Sequence, residues 1–559
     1  MVGFALAAFT ALCWRPFGLG FLTDDWTVLV EPTVWSASFS AERWQALEIA
    51  QNRPLLRLLL FLLTSLVPPL TVPWHVVGAL LNLAAGATVG VCARDLLRAA
   101  GAGREESALA GAVSGACWLV LPFSAATAYW TTGTTAMPAV ICFAVSTSLL
   151  VRHWDGAASR LWLGGFVSLL GFLVYEAFFF QFALVIGFLV LARGWSGAPA
   201  RTAVIAYGGG QVAAIAFSRA MRMMGAEGSR GVNVNFVDTF LHWYLYLARA
   251  LGVGRFVVYA ALVLGTLVLT ALLLLAFRRR APHLGAAWAG AFALAVIGAG
   301  AVLITLPLAV IEGVLPITVG LVFAGLALRR APPPGATAPL ALLVIAGIAA
   351  GALPFALGNY VVFALGFGAR ATLGSSVWIA TAFGLIAALA WRNHAARRSV
   401  ALAILLVWGG LFASHLMRGW EWGRAARLLA TVFVEPPRLD FAALEPDAHF
   451  VLVAPELPGW VPVIEVNHHM PTIARLAFLP QADTPAKIAA LRAWDRRWVV
   501  SRTLVWDTHW DGARLLQREC RSGAVITDTA APRLWLWTHA QRRIAPVAPG
   551  FQSGCRAAQ

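Results

Sequence analysis

Lysine is nearly missing from this chain. Lys487 is the only one among 559 residues, and arginine supplies the rest of the 42 basic side chains. Charge of either sign is scarce: charged residues make up 12 % against 60 % hydrophobic, where a soluble domain carries roughly a quarter charged. That shortage excludes a soluble globular protein and a solvated disordered chain alike. The net charge of +16 has no basic stripe interleaved with aromatics beneath it, so a nucleic-acid partner is not expected. Cysteine is limited to six residues, none at a zinc-ligand spacing. No segment repeats internally, which argues against the inverted halves of many secondary carriers.

Long apolar runs are what the sequence has in abundance. Mean hydropathy is +0.75, and stretches of about 20 apolar residues, the length that crosses a hydrocarbon core, recur as far as residue 416. They fall near 2–20, 73–92, 107–125, 134–152, 161–177, 178–194, 201–219, 255–277, 286–306, 308–328, 337–357, 375–391 and 399–416. The expected fold is a polytopic α-helical membrane protein with about thirteen transmembrane helices. The first run lacks a basic start and a good cleavage site, so it reads as a span rather than a removed leader.

Arginine clusters set the orientation. Arg94, Arg98, Arg104, Arg152, Arg160, Arg193 and Arg201, with "RRRAPH" (278–283), "LRRAPPP" (328–334) and "WRNHAARR" (391–398), all fall on the cytoplasmic side when the N-terminus lies there. The register holds only if "RPLLRLLLFLLTSLVPPL" (53–70) does not cross. Its arginines and prolines leave about 13 apolar residues, too few for a span, so a helix lying in the outer interface is expected. The expected location is the inner (cytoplasmic) membrane.

Beyond Arg418 the composition turns polar. "HFVLVAP" (449–455), "RRWVVSRTLVW" (496–506) and "PRLWLWT" (532–538) alternate as strands do. Two domains follow: a transmembrane part, 1–416, and a C-terminal extracytoplasmic α/β domain, 417–559. Cys520 and Cys555 are its only cysteines, a candidate disulfide in an oxidising compartment. His468, His469, Asp507 and His509 invite a metal site. Adjacent histidines on a strand point to opposite faces, and a surface-loop reading is favoured.

The outer face then collects the polar chemistry. It holds Asp24 and Asp25, "QNRP" (51–54), "PWH" (73–75), "AYWTTG" (128–133), Glu176 in "LVYEAFFFQ", and "GARATLGSSVW" (368–378). Ionisable groups near membrane depth are costly and face a polar cavity or a partner. Moving a sugar off a polyprenyl phosphate needs a base, charge compensation for the leaving phosphate, and a greasy groove. An aspartate can be the base. Arg53, Arg249, Arg255 and Arg370 can grip phosphate oxygens two at a time, and the spans can form the groove.

Taken in order, Asp24-Asp25, Arg53-Pro54, Trp74-His75 with Asn82, Leu121-Pro122-Phe123, Trp130 to Gly133 and Tyr175-Glu176 resemble the GT-C superfamily of polytopic glycosyltransferases. The likeness is to the branch that includes protein O-mannosyltransferases and the lipid A aminoarabinose transferase. It departs from that branch in having Tyr-Glu where Lys-Glu is usual. Arg370 looks similar to the late arginine that opens a returning span. The resemblance implies a GT-C-like fold with Asp24 and Asp25 as catalytic residues. It implies that Arg53, His75, Trp130, Glu176 and Arg370 bind substrate. Its implied partners are a polyprenyl-phosphate-sugar donor, a lipid, glycan or protein acceptor, and membrane lipids. Two acids alone do not specify a metal, so dependence on a divalent cation such as Mg2+ or Mn2+ stays open. The rival readings are an O-antigen polymerase or ligase, a polytopic transporter, and, for the acid pair, two solvated charges at a helix end.

Overall fold

The computed structural model describes residues 20–22, 24–47, 50, 53–121, 125–156, 158–195, 197–223, 337–351, 353–354 and 372–392. Further on it describes 401, 404, 408, 411, 412, 415, 419–430, 436–441, 448–453, 470–492, 498–501, 506–520, 523–538 and 543–553.

The acid pair lies in a helix. Residues 24–25 are helical and lead into a π turn, Trp26–Val30, and then α1, Glu31–Trp35. Pro32 lacks an amide and crowds the carbonyl four residues before it; the wider π turn directly ahead of it accommodates that misfit. Ser40 caps α2, Ala41–Ala46, by accepting from the Arg43 amide. The Arg43 guanidinium is buried and donates to the carbonyls of Ser36 and Thr64, both at 2.6 Å. It thereby fastens this segment to α3, Pro54–Leu66, the helix expected to lie in the interface. That helix buries Leu56, Leu60 and Thr64 and exposes Leu58, Leu62 and Leu66. At 13 residues it is too short to cross a bilayer.

The helical body follows. It comprises α4 (Thr71–Ala99), α5 (Arg104–Val120), the short α6 (Ala125–Tyr129) and α7 (Thr131–Thr134), α8 (Met137–His153) and α9 (Ala158–Val174). After a 3-10 turn at Glu176–Phe178 come α10 (Gln181–Arg193), then α11 (Ala198–Ala203) joined through a π turn to α12 (Gly209–Met223). α13 (Thr337–Ala350) and α14 (Leu373–Trp391) complete it. Among the described residues four helical stretches are long and apolar enough to cross a membrane: Thr71–Ala99, Thr131–His153, Glu176–Arg193 and Leu373–Trp391. The runs expected at 2–20, 255–277, 286–306 and 308–328 lie outside the described residues, and 399–416 is described only at isolated positions. Where α4 and α5 cross, a Cβ on Gly90 would stand 2.6 Å from the Gly111 carbonyl. Only glycine permits that approach, the usual device of close helix packing in lipid.

The body has two chemically distinct ends. At one, buried Asp95 accepts from Arg94 and, at 2.7 Å, from Arg152. There too, Arg392 grips Glu106 at 3.0 and 3.1 Å and Trp391 donates to Glu105. These contacts tie together the ends of α4, α5, α8 and α14. The opposite end carries α3, the 3-10 turn, α6 and α7.

The tail contains two four-stranded sheets. β1 (Ala448–Val453) pairs in parallel with β2 (Trp498–Ser501) and β6 (Arg533–Thr538), and β7 (Arg543–Pro546) joins β6 antiparallel. Two helices, α15 (Met470–Phe478) and α16 (Pro485–Arg492), make the crossover from β1 to β2. Central β1 is covered on both faces, so Phe450, Val451 and Leu452 are all buried, as parallel strands require. The second sheet is antiparallel, in the order β5 (Val525–Ala530), β4 (Arg514–Glu519), β3 (Trp506–Trp510) and β8 (Phe551–Ser553). Cys520 is disulfide-bonded; Cys555, the partner expected for it, lies outside the described residues. So do His468 and His469. Among the described residues no three metal-ligating side chains cluster.

Candidate functional site

Asp25 is fully buried, and both its oxygens are engaged. Oδ2 accepts from the Leu22 amide at 3.0 Å. Oδ1 accepts from the Thr132 amide at 2.7 Å and the Thr132 hydroxyl at 2.6 Å. The start of the acid-bearing helix is thereby tied to the α7 turn. Burial pushes the Asp25 carboxyl up to about 7, against the lowering effect of those three donors, and the neighbouring Asp24 carboxylate adds to the rise. Successive helical residues point about 100° apart, so Asp24 faces elsewhere and is the partly exposed member of the pair.

A second knot forms around Arg53, the residue before α3. Its guanidinium meets both carboxylate oxygens of Glu176, Nε at 2.8 Å and Nη2 closer still. It also lies 4.6 Å above the centre of the Tyr175 ring. Both charged side chains stay about a third exposed (27 % and 35 %). Glu176 follows Tyr175, whose extended backbone breaks α9 from the 3-10 turn, so the break between the two helices sets the carboxylate beside Arg53. This pair is planar and two-pronged, the geometry with which arginine also grips phosphate.

The other expected residues frame these knots. His75 is buried near the start of α4. Trp130 is fully buried between α6 and α7, and Asn82 donates to the Gly78 and Thr127 carbonyls at 3.0 and 2.9 Å, holding that turn against α4. One apolar cluster joins Phe21, Val28, Leu29 and Val30 to Ala50, Leu56, Leu60 and Trp74. A second joins Leu22, Tyr129 and Trp130 to the tail, including Trp422, Phe450 and Trp537. The structure thus brings Asp24, Asp25, Arg53, His75, Trp130 and Glu176 to one end of the body. Arg370, Arg249 and Arg255 lie outside the described residues.

Three participants escaped the sequence reading. Thr132 fixes Asp25, and Thr472 and Arg475 hold Glu31 of α1. The threonine was legible only as part of a turn. The link to Glu31 joins segments more than four hundred residues apart, for which a single sequence offers no signal beyond opposite charge. No protein family matches the chain, and no curated protein aligns with it.

Proposed function

We propose that this chain is a membrane glycosyltransferase of the GT-C kind, moving a sugar from a polyprenyl-phosphate donor to a hydroxyl at the outer face of the inner membrane. Asp24 takes the proton of the acceptor hydroxyl. The acceptor oxygen then bonds to the anomeric carbon while the bond from that carbon to the phosphate oxygen breaks, and polyprenyl phosphate leaves with the electron pair. Arg53 and Arg370 neutralise the phosphate. Asp25, engaged with Thr132 and Leu22, holds the helix that aims Asp24. In this reading the N-terminus and the arginine-rich end face the cytoplasm, the tail is extracytoplasmic, and about thirteen helices span the membrane.

The observation that carries the proposal is the placement of the acid pair: Asp25 fully buried and bonded to Thr132, with Asp24 beside it at a partly exposed position, at the end of the body that also holds the Arg53–Glu176 knot. The full-length protein in lipid nanodiscs, offered a panel of polyprenyl-phosphate sugars with a radiolabelled sugar, tests it. Transfer that depends on Asp24 supports the proposal. Equal transfer by Asp24→Asn would assign the chemistry to another group, and a folded protein that moves no sugar from any donor would end the proposal.

A further inference from the structure

The helix that carries the acid pair is anchored twice, to two different parts of the molecule. Its start is fixed by Asp25 to Thr132 in the helical body. Its far end is fixed to the tail. There Glu31 accepts from the Thr472 hydroxyl at 2.7 Å and from Arg475 at 2.5 Å. Arg475 also reaches the Thr472 oxygen at 3.2 Å, so the three side chains close a triangle. Trp35, at the last residue of α1, lies beneath the Arg492 guanidinium, 4.8 Å from its ring. Leu476 packs on the cluster that contains Val28 and Leu29.

Open surface ion pairs contribute little because water screens them. This one is mostly covered, with side-chain exposures of 11 % for Arg475 and 21 % for Glu31, and charge-assisted bonds shielded in that way hold geometry well. A helix pinned at one end can still turn about its own axis. A turn by one residue swings each side chain about 100°, which would carry Asp24 away from any fixed target. Two anchors on different bodies remove that freedom.

We propose that the tail domain is a positioning device for the acid pair: Glu31, clasped by Thr472 and Arg475, sets the rotation of the helix that presents Asp24. Glu31 and Arg475 are positioning residues, since nothing brings them to a reacting atom. Only the transfer readout rests on the glycosyltransferase reading; the clasp itself is measured independently.

The test compares full-length Arg475→Glu, Glu31→Arg and the double exchange Glu31→Arg with Arg475→Glu, in nanodiscs, by hydrogen exchange. Loss of a charge-assisted contact should raise exchange across residues 24–35 about tenfold in each single variant. The double exchange should restore protection, and β1 and β6 should stay protected throughout. Unchanged exchange at 24–35 in the single variants would overturn the proposal. So would a parallel loss of protection in β1 and β6, which would make the pair a prop for the tail's own fold. Glu31→Gln, which keeps the shape and one acceptor oxygen, serves if a charge reversal fails to fold. In the transfer assay the single variants should lower kcat about tenfold with donor KM unchanged, and the double exchange should recover it. Loosened exchange with wild-type kcat would refute positioning of Asp24. Absence of transfer in the wild type would remove the functional reading and leave hydrogen exchange to decide the clasp.

Discussion

Arg53 and Glu176 stand 123 residues apart in the sequence and side by side in the fold, joined at two points with the Tyr175 ring under the guanidinium. Because both side chains are partly exposed, their coupling is modest. A double-mutant cycle of Arg53→Ala and Glu176→Ala, read by thermal unfolding in detergent, should give an interaction of about 1 kcal/mol. If Arg53 passes from Glu176 to the donor phosphate, Glu176→Gln should lower the donor KM, and Arg53→Lys should raise it by losing the two-pronged grip.

The buried Asp25 carboxyl makes stability depend on pH in a stated direction. Its folded value of about 7 lies above its ordinary value of 3.8, so the folded chain binds this proton more tightly. The contribution is complete below the ordinary value, is lost as pH rises from about 4 to about 7, and is flat above. Within that window the slope approaches about 1.4 kcal/mol per pH unit. Thermal unfolding of wild type and Asp25→Asn across pH 4 to 8 measures it: the difference between them should shrink or reverse with pH. Parallel curves would mean that Asp25 does not titrate in the fold.

Asp24→Asn should leave the protein folded and inserted while reducing transfer by about two to four orders of magnitude, the usual effect of removing a general base. Asp25→Asn should cost less in kcat and should loosen residues 24–35, because the amide keeps only one acceptor oxygen and cannot serve both Thr132 and the Leu22 amide. Steady-state transfer rates and hydrogen exchange of the two variants separate these effects.

Arg370, which the sequence sets beside "TLGSS", is expected to hold the donor phosphate. Arg370→Ala should raise the donor KM by about tenfold or more and Arg370→Lys should restore it in part, as loss of one charge-assisted contact predicts. An unchanged KM in Arg370→Ala would leave that arginine a topological role alone.

The orientation is checked by single cysteines at exposed positions. Ser38→Cys and Asp483→Cys should react in intact cells with a membrane-impermeant thiol reagent, while Arg104→Cys and Ala158→Cys should react only after lysis. The native Cys92 and Cys117 are buried and give little background. Labelling of residue 104 from outside would invert the scheme.

Periodicity made some of this legible and distance hid the rest. The strand-like runs at 449–455, 496–506 and 532–538 reappear as β1, β2 and β6, because buried strands must be apolar on the faces that packing covers, whereas Asp507 and His509, read as surface loop, lie on strand β3. β4 and β5 went unread: Arg514 and Asp528 pair across their exposed face, and β4 sends only Leu515 and Gln517 into the interior, too few apolar positions to mark a strand. α4 extends beyond its apolar run through Arg94 and Asp95, since ion pairing with Arg152 lets those charges remain in the helix. At the site, single residues could be named but not their partners. Arg53 and Glu176 were each assigned to substrate, and the fold shows them holding one another.

The clasp on Glu31 also orders events during synthesis. Asp25 must wait for Thr132, 107 residues later, and Glu31 for Arg475, 444 residues later. At about 5–20 residues per second, a ribosome needs roughly 20–90 s to deliver the second partner after Glu31 emerges. Through that interval the nascent helix has no counter-charge from the tail. Its final seating therefore belongs to the last stage of biogenesis, after the tail has folded, and a ribosome stalled before residue 475 would leave a chain inserted in the bilayer with its acid pair unset.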